Sequence, residues 1–241
     1  MCGIVGIFET RSFREISQQA LVRMNESQLH RGPDEGGYFV EPGIGLGHRR
    51  LSIIDVSTGQ QPLFNEDRSV VVIFNGEIYN YQELIPELVA LGHVFRTRSD
   101  TEVIVHAWEA WGEACVRRFR GMFAFALWDR NRQTLFLARD RLGVKPLFYA
   151  LLPDGKLIFG SELKSLVAHG EWSRAFDPRA IEEYFALGYI PEPRTIFSGV
   201  AKLSPGHTLA VRRGASMAEP REYWDVRFTL DNPVSAADAG V

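Results

Sequence analysis

The longest unbroken apolar run in this chain is Met122–Trp128, seven residues. A membrane-spanning helix needs about 20 such residues, so that reading is excluded and short buried strands become the natural use of the apolar segments. Gly3–Phe8, Val70–Phe74, Met122–Trp128, Thr134–Ala138, Leu147–Leu151 and Leu157–Phe159 are rich in β-branched and aromatic residues and read as strands. Tyr38–Val40, Ile44–His48 and His207–Val211 are shorter candidates. Helical spacing of apolar residues marks Ile16–Leu29, Tyr81–Leu91, Thr101–Trp111, Ser161–Val167 and Pro178–Leu187. Helices fall between blocks of strands and not after every strand, which predicts an α+β or layered α/β arrangement in place of a doubly wound parallel sheet. Asn75-Gly76 reads as a turn that ends the strand before it, and Asp100 as the N-cap of the helix that follows.

Composition narrows the function classes. With 241 residues, 45% apolar and 24% charged, the chain can bury a sizeable core. A net charge of −3 supplies no global field for nucleic acid or an anionic membrane. The start, MCGIVGIFET, has neither a basic leader nor a long apolar stretch, so no secretory signal is expected. Cys2 and Cys115 show no CxxC or Cys/His spacing, which argues against structural zinc and a disulfide framework and favours a cytoplasmic setting with reduced thiols. Cys115 reads as a small buried hydrophobe. His30, His48, His93, His106, His169 and His207 show no metal-ligand spacing, and no metal site is expected. Arg139-Asp140-Arg141 reads as a turn with local salt bridges. Phosphate-loop, HExxH, GxSxG and GxGxxG signatures are absent from the sequence.

Cys2 is unusual by position. Removal of Met1 would place a thiol nucleophile and a free α-amine on one residue, and an amine of pKa about 7.7–8.0 is matched to act as its base. A small residue tolerated at a frayed terminus is the plain alternative. The surrounding motifs decide between them. MCGIVGIF, HRGPDEGG (30–37), GHRRLSIID (47–55), GQQP (59–62), FNGEIYNY (74–81), SDTE (99–102), GMFAFALWD (121–129), RDRLGVKPLFY (139–149) and SELKSL (161–166) occur in this order. Together they resemble the glutaminase portion of glutamine-hydrolysing asparagine synthetases, class II glutamine amidotransferases among the N-terminal nucleophile hydrolases.

That resemblance implies a four-layer αββα sandwich, two antiparallel sheets flanked by helices. It implies Cys2 as nucleophile, with Asn75 and Gly76 as oxyanion donors. It further implies Arg50 as the clamp for the glutamine α-carboxylate and Asp100 as the partner of the α-ammonium, with Glu77 lining the same pocket. Read without it, Asn75-Gly76 is a hairpin turn, Asp100 a helix cap and Arg50 a surface arginine. Arg49 would point the opposite way along a strand and is given no role. The Arg31–Asp34 loop reads as architectural.

The resemblance covers residues 1–211 as a glutaminase domain, and 212–241 read as a connection toward an absent C-terminal synthetase domain. Ser235 followed by alanines resembles the opening of a helix. The implied partners are glutamine and that synthetase domain of the same full-length chain, and a homodimer is admitted; no nucleic acid and no membrane are expected. No cofactor is implied for the glutaminase domain itself, with ATP and Mg²⁺ expected in the synthetase domain. Two alternatives stay open: the same glutaminase serving another ammonia acceptor, and an inactive regulatory relative.

Overall fold

All seven residues of the first strand, Gly3–Glu9, are buried, and a strand covered on both faces belongs inside a layered fold. The computed structural model describes residues 1–52, 55 and 58–227. In chain order the elements are β1 (Gly3–Glu9), α1 (Gln18–Glu26), β2 (Glu35–Glu41), β3 (Ile44–Arg50), β4 (Leu63–Phe64) and β5 (Val70–Ile78). Next come α2 (Tyr81–Ala90), α3 (Asp100–Trp111), a 3₁₀ helix (Gly112–Arg117), β6 (Gly121–Asp129), β7 (Thr134–Arg139), β8 (Phe148–Leu151) and β9 (Lys156–Gly160). The series ends with α4 (Leu163–His169), α5 (Pro178–Leu187), β10 (Val200–Lys202), β11 (His207–Arg212) and β12 (Arg221–Glu222).

The strands form two six-stranded sheets, ordered β10-β8-β9-β1-β3-β2 and β12-β11-β7-β6-β5-β4. Their pairings are antiparallel, with Gly3 opposite Arg49 in the first sheet and Val70 through Ile78 opposite Asp129 through Gly121 in the second. Side-chain alternation sorts the apolar residues into layers. Ile4, Phe8, Ile44 and Leu46 of the first sheet meet Val71, Ile73, Ala124 and Trp128 of the second. On the outer face of the first sheet, Val5 and Ile7 pack with Leu21, Met24 and Leu166 of the helices α1 and α4. Val72, Phe74, Phe125 and Phe136 cover the outer face of the second against Leu84, Val103 and Trp108 of α2 and α3. The result is the αββα sandwich the resemblance implied. Each large apolar side chain in these layers contributes about 1.5–3 kcal/mol by leaving water.

Three local expectations are corrected. Asn75-Gly76 is not a turn: β5 runs on to Ile78, with Asn75 opposite Ala124 and Gly76 opposite Phe123. A nine-residue partner strand, β6, outweighs the local turn preference, and a Cβ on Gly76 would stand 2.2 Å from the Met122 carbonyl oxygen. Asp100 is not the N-cap of α3; Ser99 is, its hydroxyl accepting the Thr101 N–H at 3.2 Å. Arg139-Asp140-Arg141 is a turn only in part: Arg139 is the last residue of β7, Asp140 opens the turn that follows, and both are buried. The Asp140 carboxylate accepts N–H groups from Phe123, Leu142, Val144 and Lys145, and Arg139 donates to the carbonyls of Gly143, Lys145 and Leu203. Buried charges survive there because backbone dipoles satisfy them.

Residues 212–224 fold back on the sandwich. Gly214 N–H donates to the Thr10 carbonyl, and the Tyr223 hydroxyl donates to the Arg139 carbonyl at 2.8 Å. The helix opening expected at Ser235 lies outside the described residues, as do 53, 54, 56 and 57 of the segments GHRRLSIID (47–55) and 55–62. None of the described helices is long and apolar enough to cross a membrane.

Candidate functional site

Strand periodicity brings the site together. Cys2 precedes β1 in phase with Ile4 and Phe8, both of which face the second sheet. Arg50 ends β3 in phase with Ile44 and Leu46, which face the same way. Asn75 follows Val71 and Ile73 on the opposing inner face. Cys2, Arg50 and Asn75 therefore meet where the two sheets open, and they line one cavity of about 280 Å³. That volume lies at the small end of ligand sites, suited to an amino acid. Gly76, Glu77 and Asp100 line it too, so all six residues singled out from the sequence converge.

The oxyanion-donor pair has a clear geometry. Asn75 is almost fully buried, and its Nδ2 has no hydrogen-bond partner among the described residues. A buried amide donor left unpaired costs about 1–3 kcal/mol, a cost that a substrate oxygen would relieve. On β5, the Phe74 N–H donates to Gln61 Oε1 at 2.7 Å and the Ile78 N–H to Asp100 Oδ2 at 2.8 Å, both away from β6. Antiparallel alternation points the Gly76 N–H to that same edge, between those two groups.

Arg50 is buried, donating to Glu35 Oε2 at 3.1 Å and to the Asp55 carbonyl at 2.7 Å. Its planar guanidinium is thereby held at the cavity wall. Arg49 turns the other way and donates to the Gly32 carbonyl at 3.0 Å. Gly32 is required there, since a Cβ would stand 2.3 Å from the Arg49 backbone. Arg31 reaches from the same loop to the Cys2 carbonyl at 2.9 Å and fixes the start of β1.

The electrostatics separate the roles. Burial pushes the Cys2 thiol up, against the lowering effects of the Leu51 backbone hydrogen bond, the nearby N-terminal charge, Arg50 and Arg31. The thiol is therefore not ionised in advance and needs a base. Asp100 is pushed up to about 6, chiefly by burial and further by Glu77, against the Ile78 hydrogen bond. Two carboxylates at one wall, one of them desolvated, form a place where a cation is stabilising. His48 is pulled down to about 3 by burial, so its neutral ring donates Nε2–H to the Phe74 carbonyl at 3.0 Å and bolts β3 to β5 behind the cavity.

Sequence reasoning gave no role to Gln61, Ser99, Thr101, Met122 and Lys145, which also line the cavity. Gln61 and Lys145 lie within the motifs GQQP and RDRLGVKPLFY, which carried a signal of position without one of chemistry. Met1 lines the mouth and is exposed. Among the described residues, no histidine lines the cavity. The expectation that no histidines cluster is corrected elsewhere in the fold: the rings of His93 and His106 lie 4.9 Å apart, beside Glu66 and Glu109. Thirteen positions separate them in sequence, and only the packing of the segment after α2 against α3 joins them.

Residues 1–224 match the family described as a glutamine amidotransferase domain. Asparagine synthetase [glutamine-hydrolyzing] 1 of Bacillus subtilis is 43% identical over 214 residues, which cover 88% of this chain and 34% of that protein. Asparagine synthetase [glutamine-hydrolyzing] 3 of the same organism is 39% identical over 230 residues, covering 94% and 37%. The chain thus spans about a third of the length of these relatives. Glutamine phosphoribosylpyrophosphate amidotransferase of B. subtilis superposes with a TM-score of 0.65 over 92% of this chain and 49% of its own, at 18% identity, a likeness of fold.

Proposed function

The chain belongs to the glutamine amidotransferase domain family, and from that premise we propose that it hydrolyses the side-chain amide of glutamine at Cys2, giving glutamate and ammonia. Met1 is removed first, which frees the Cys2 α-amine and clears the cavity mouth. The amine takes the thiol proton, and the sulfur attacks the amide carbon. Negative charge then grows on the amide oxygen, where the Asn75 Nδ2–H and Gly76 N–H donate to it. The tetrahedral species collapses: the C–N bond breaks, the amine returns its proton to the leaving nitrogen, and ammonia departs from a thioester. Water, deprotonated by the same amine, attacks the thioester to release glutamate and regenerate the thiol.

Arg50 holds the substrate α-carboxylate, while Asp100 and Glu77 face the α-ammonium; together they reject amides that lack an amino-acid end. The observation that carries this reading is the buried Asn75 Nδ2, without a partner among the described residues, in the cavity that Cys2 also lines. Ammonia made here serves ATP-dependent amidation of aspartate by a C-terminal synthetase portion of a longer chain, and that portion would carry ATP and Mg²⁺. No cofactor is needed for the amide hydrolysis. The setting is the cytoplasm, in keeping with the unpaired Cys2 and Cys115. A glutamate-release assay tests the proposal: Cys2→Ala keeps the fold and loses the activity, and release at the wild-type rate would remove the nucleophile.

A further inference from the structure

Away from the cavity the fold gathers a second set of polar side chains. Glu66 lies between β4 and β5, His93 follows α2, and His106 and Glu109 sit one turn apart on α3. His93 Nδ1 is 3.7 Å from Glu66 Oε1 and 3.6 Å from Glu109 Oε2. His106 Nδ1 is 3.5 Å from Glu66 Oε2 and 3.4 Å from Glu109 Oε2. One donor atom from each residue can be chosen so that all four lie within 4.8 Å of one another.

We propose that His93 Nδ1, His106 Nδ1, Glu66 and Glu109 form a binding site for a divalent cation of the zinc class. Metal bonds of about 2.0–2.2 Å place tetrahedral donors about 3.3–3.6 Å apart; His93 Nδ1 and His106 Nδ1 lie 3.6 and 3.4 Å from the same Glu109 oxygen, and 3.7 and 3.5 Å from different oxygens of Glu66, whose carboxylate would turn to offer one oxygen to the ion. Two neutral imidazoles and two carboxylates balance a 2+ charge. Mixed nitrogen and oxygen donors suit Zn²⁺ better than Mg²⁺ or Ca²⁺, which take oxygen.

The surrounding groups are those a metal site uses to orient its ligands. His106 Nε2 is buried with no hydrogen bond among the described residues, and Glu102 Oε1 stands 3.6 Å away to receive its proton. Asn65 Nδ2 donates to the second oxygen of Glu109 at 2.7 Å, and the Val94 N–H to Glu66 Oε1 at 2.9 Å. Glu66, His93 and Glu109 retain solvent exposure, which leaves the ion a way in.

An ion here would join the β4–β5 loop and the segment after α2 to α3. The first turn of α3 carries Asp100 and Thr101 of the cavity, so the site stiffens a wall of the pocket and takes no part in the chemistry. The proposal stands independently of the glutamine reading.

Its test uses untagged chain carrying Cys2→Ala, which removes the competing thiol, stripped with a chelator and titrated with Zn²⁺ by calorimetry and with Co²⁺ by visible absorption. The expected result is one equivalent bound, Co²⁺ bands of four-coordinate intensity, and a thermal midpoint that rises with Zn²⁺. His93→Ala and Glu109→Gln, both at partly exposed positions, each weaken binding at least ~10-fold, and the outer-sphere variant Glu102→Gln weakens it on the order of 10-fold. Circular dichroism checks that the variants fold. Absence of stoichiometric Zn²⁺ binding, or binding unchanged in both His93→Ala and Glu109→Gln, overturns the proposal.

Discussion

Asn75→Ala is the sharpest perturbation of the proposed chemistry. The side chain offers a neutral NH2 donor in a buried wall, and Nδ2 has no partner among the described residues. A single aimed oxyanion donor of this kind is worth about 2.7–4 kcal/mol, or roughly 10²–10³ in kcat. The bond forms fully only as charge develops, so KM for glutamine stays within about 3-fold. Because Nδ2 makes no bond in the resting protein, its loss removes an unpaired buried donor and leaves a small void, two effects of opposite sign, and unfolding free energy changes by less than about 1 kcal/mol. Steady-state glutamate release and urea unfolding on the same preparation measure both. A folded variant whose kcat falls less than about 10-fold, or whose loss lies wholly in KM, refutes the oxyanion role.

Arg50→Ala is expected to raise KM far more than it lowers kcat, since the guanidinium contacts a group remote from the reacting carbon; an unchanged KM contradicts the carboxylate clamp. Asp100 titrates near 6 in the fold against 3.8 for the ordinary group, through burial first and Glu77 second. The ammonium needs the ionised form, so KM for glutamine rises as pH falls below about 6, a limb absent in Asp100→Asn. The sign for stability is opposite: the folded state binds the proton more tightly, so this contribution is present below pH 3.8 and lost as pH rises to about 6. Asp100→Asn at pH 7 recovers up to about 3 kcal/mol if the Ile78 hydrogen bond is kept, which chemical denaturation measures; a variant less stable than wild type at pH 7 counts against this assignment.

The strands and helices were readable because each long element carries its own signal, a β-branched and aromatic run in Val70–Phe74 and helical spacing in Tyr81–Leu91. The site was readable only where a motif marked it. Local rules misassigned Asn75-Gly76, since a turn dipeptide says nothing about a nine-residue strand waiting opposite at Gly121–Asp129. They also gave the α3 cap to Asp100, one residue late, and so concealed that its carboxylate reaches across to the Ile78 N–H. Two-residue strands such as β4 and β12 have no period to read. The turn with local salt bridges read at Asp140 missed its burial, because four backbone N–H groups from its own turn and from β6 satisfy the carboxylate. The approach of His93 to His106 is wholly tertiary, and no spacing rule on one segment reports it.

The central claim is that Cys2, with Met1 removed, forms the covalent intermediate. Intact-protein mass spectrometry of acid-quenched enzyme during glutamine turnover, followed by peptide mapping, tests it directly. The account predicts a glutamyl thioester on Cys2 of chains that begin at Cys2, and none on chains that retain Met1. A glutamyl adduct on another residue, or full turnover by Met1-retaining protein, would contradict it.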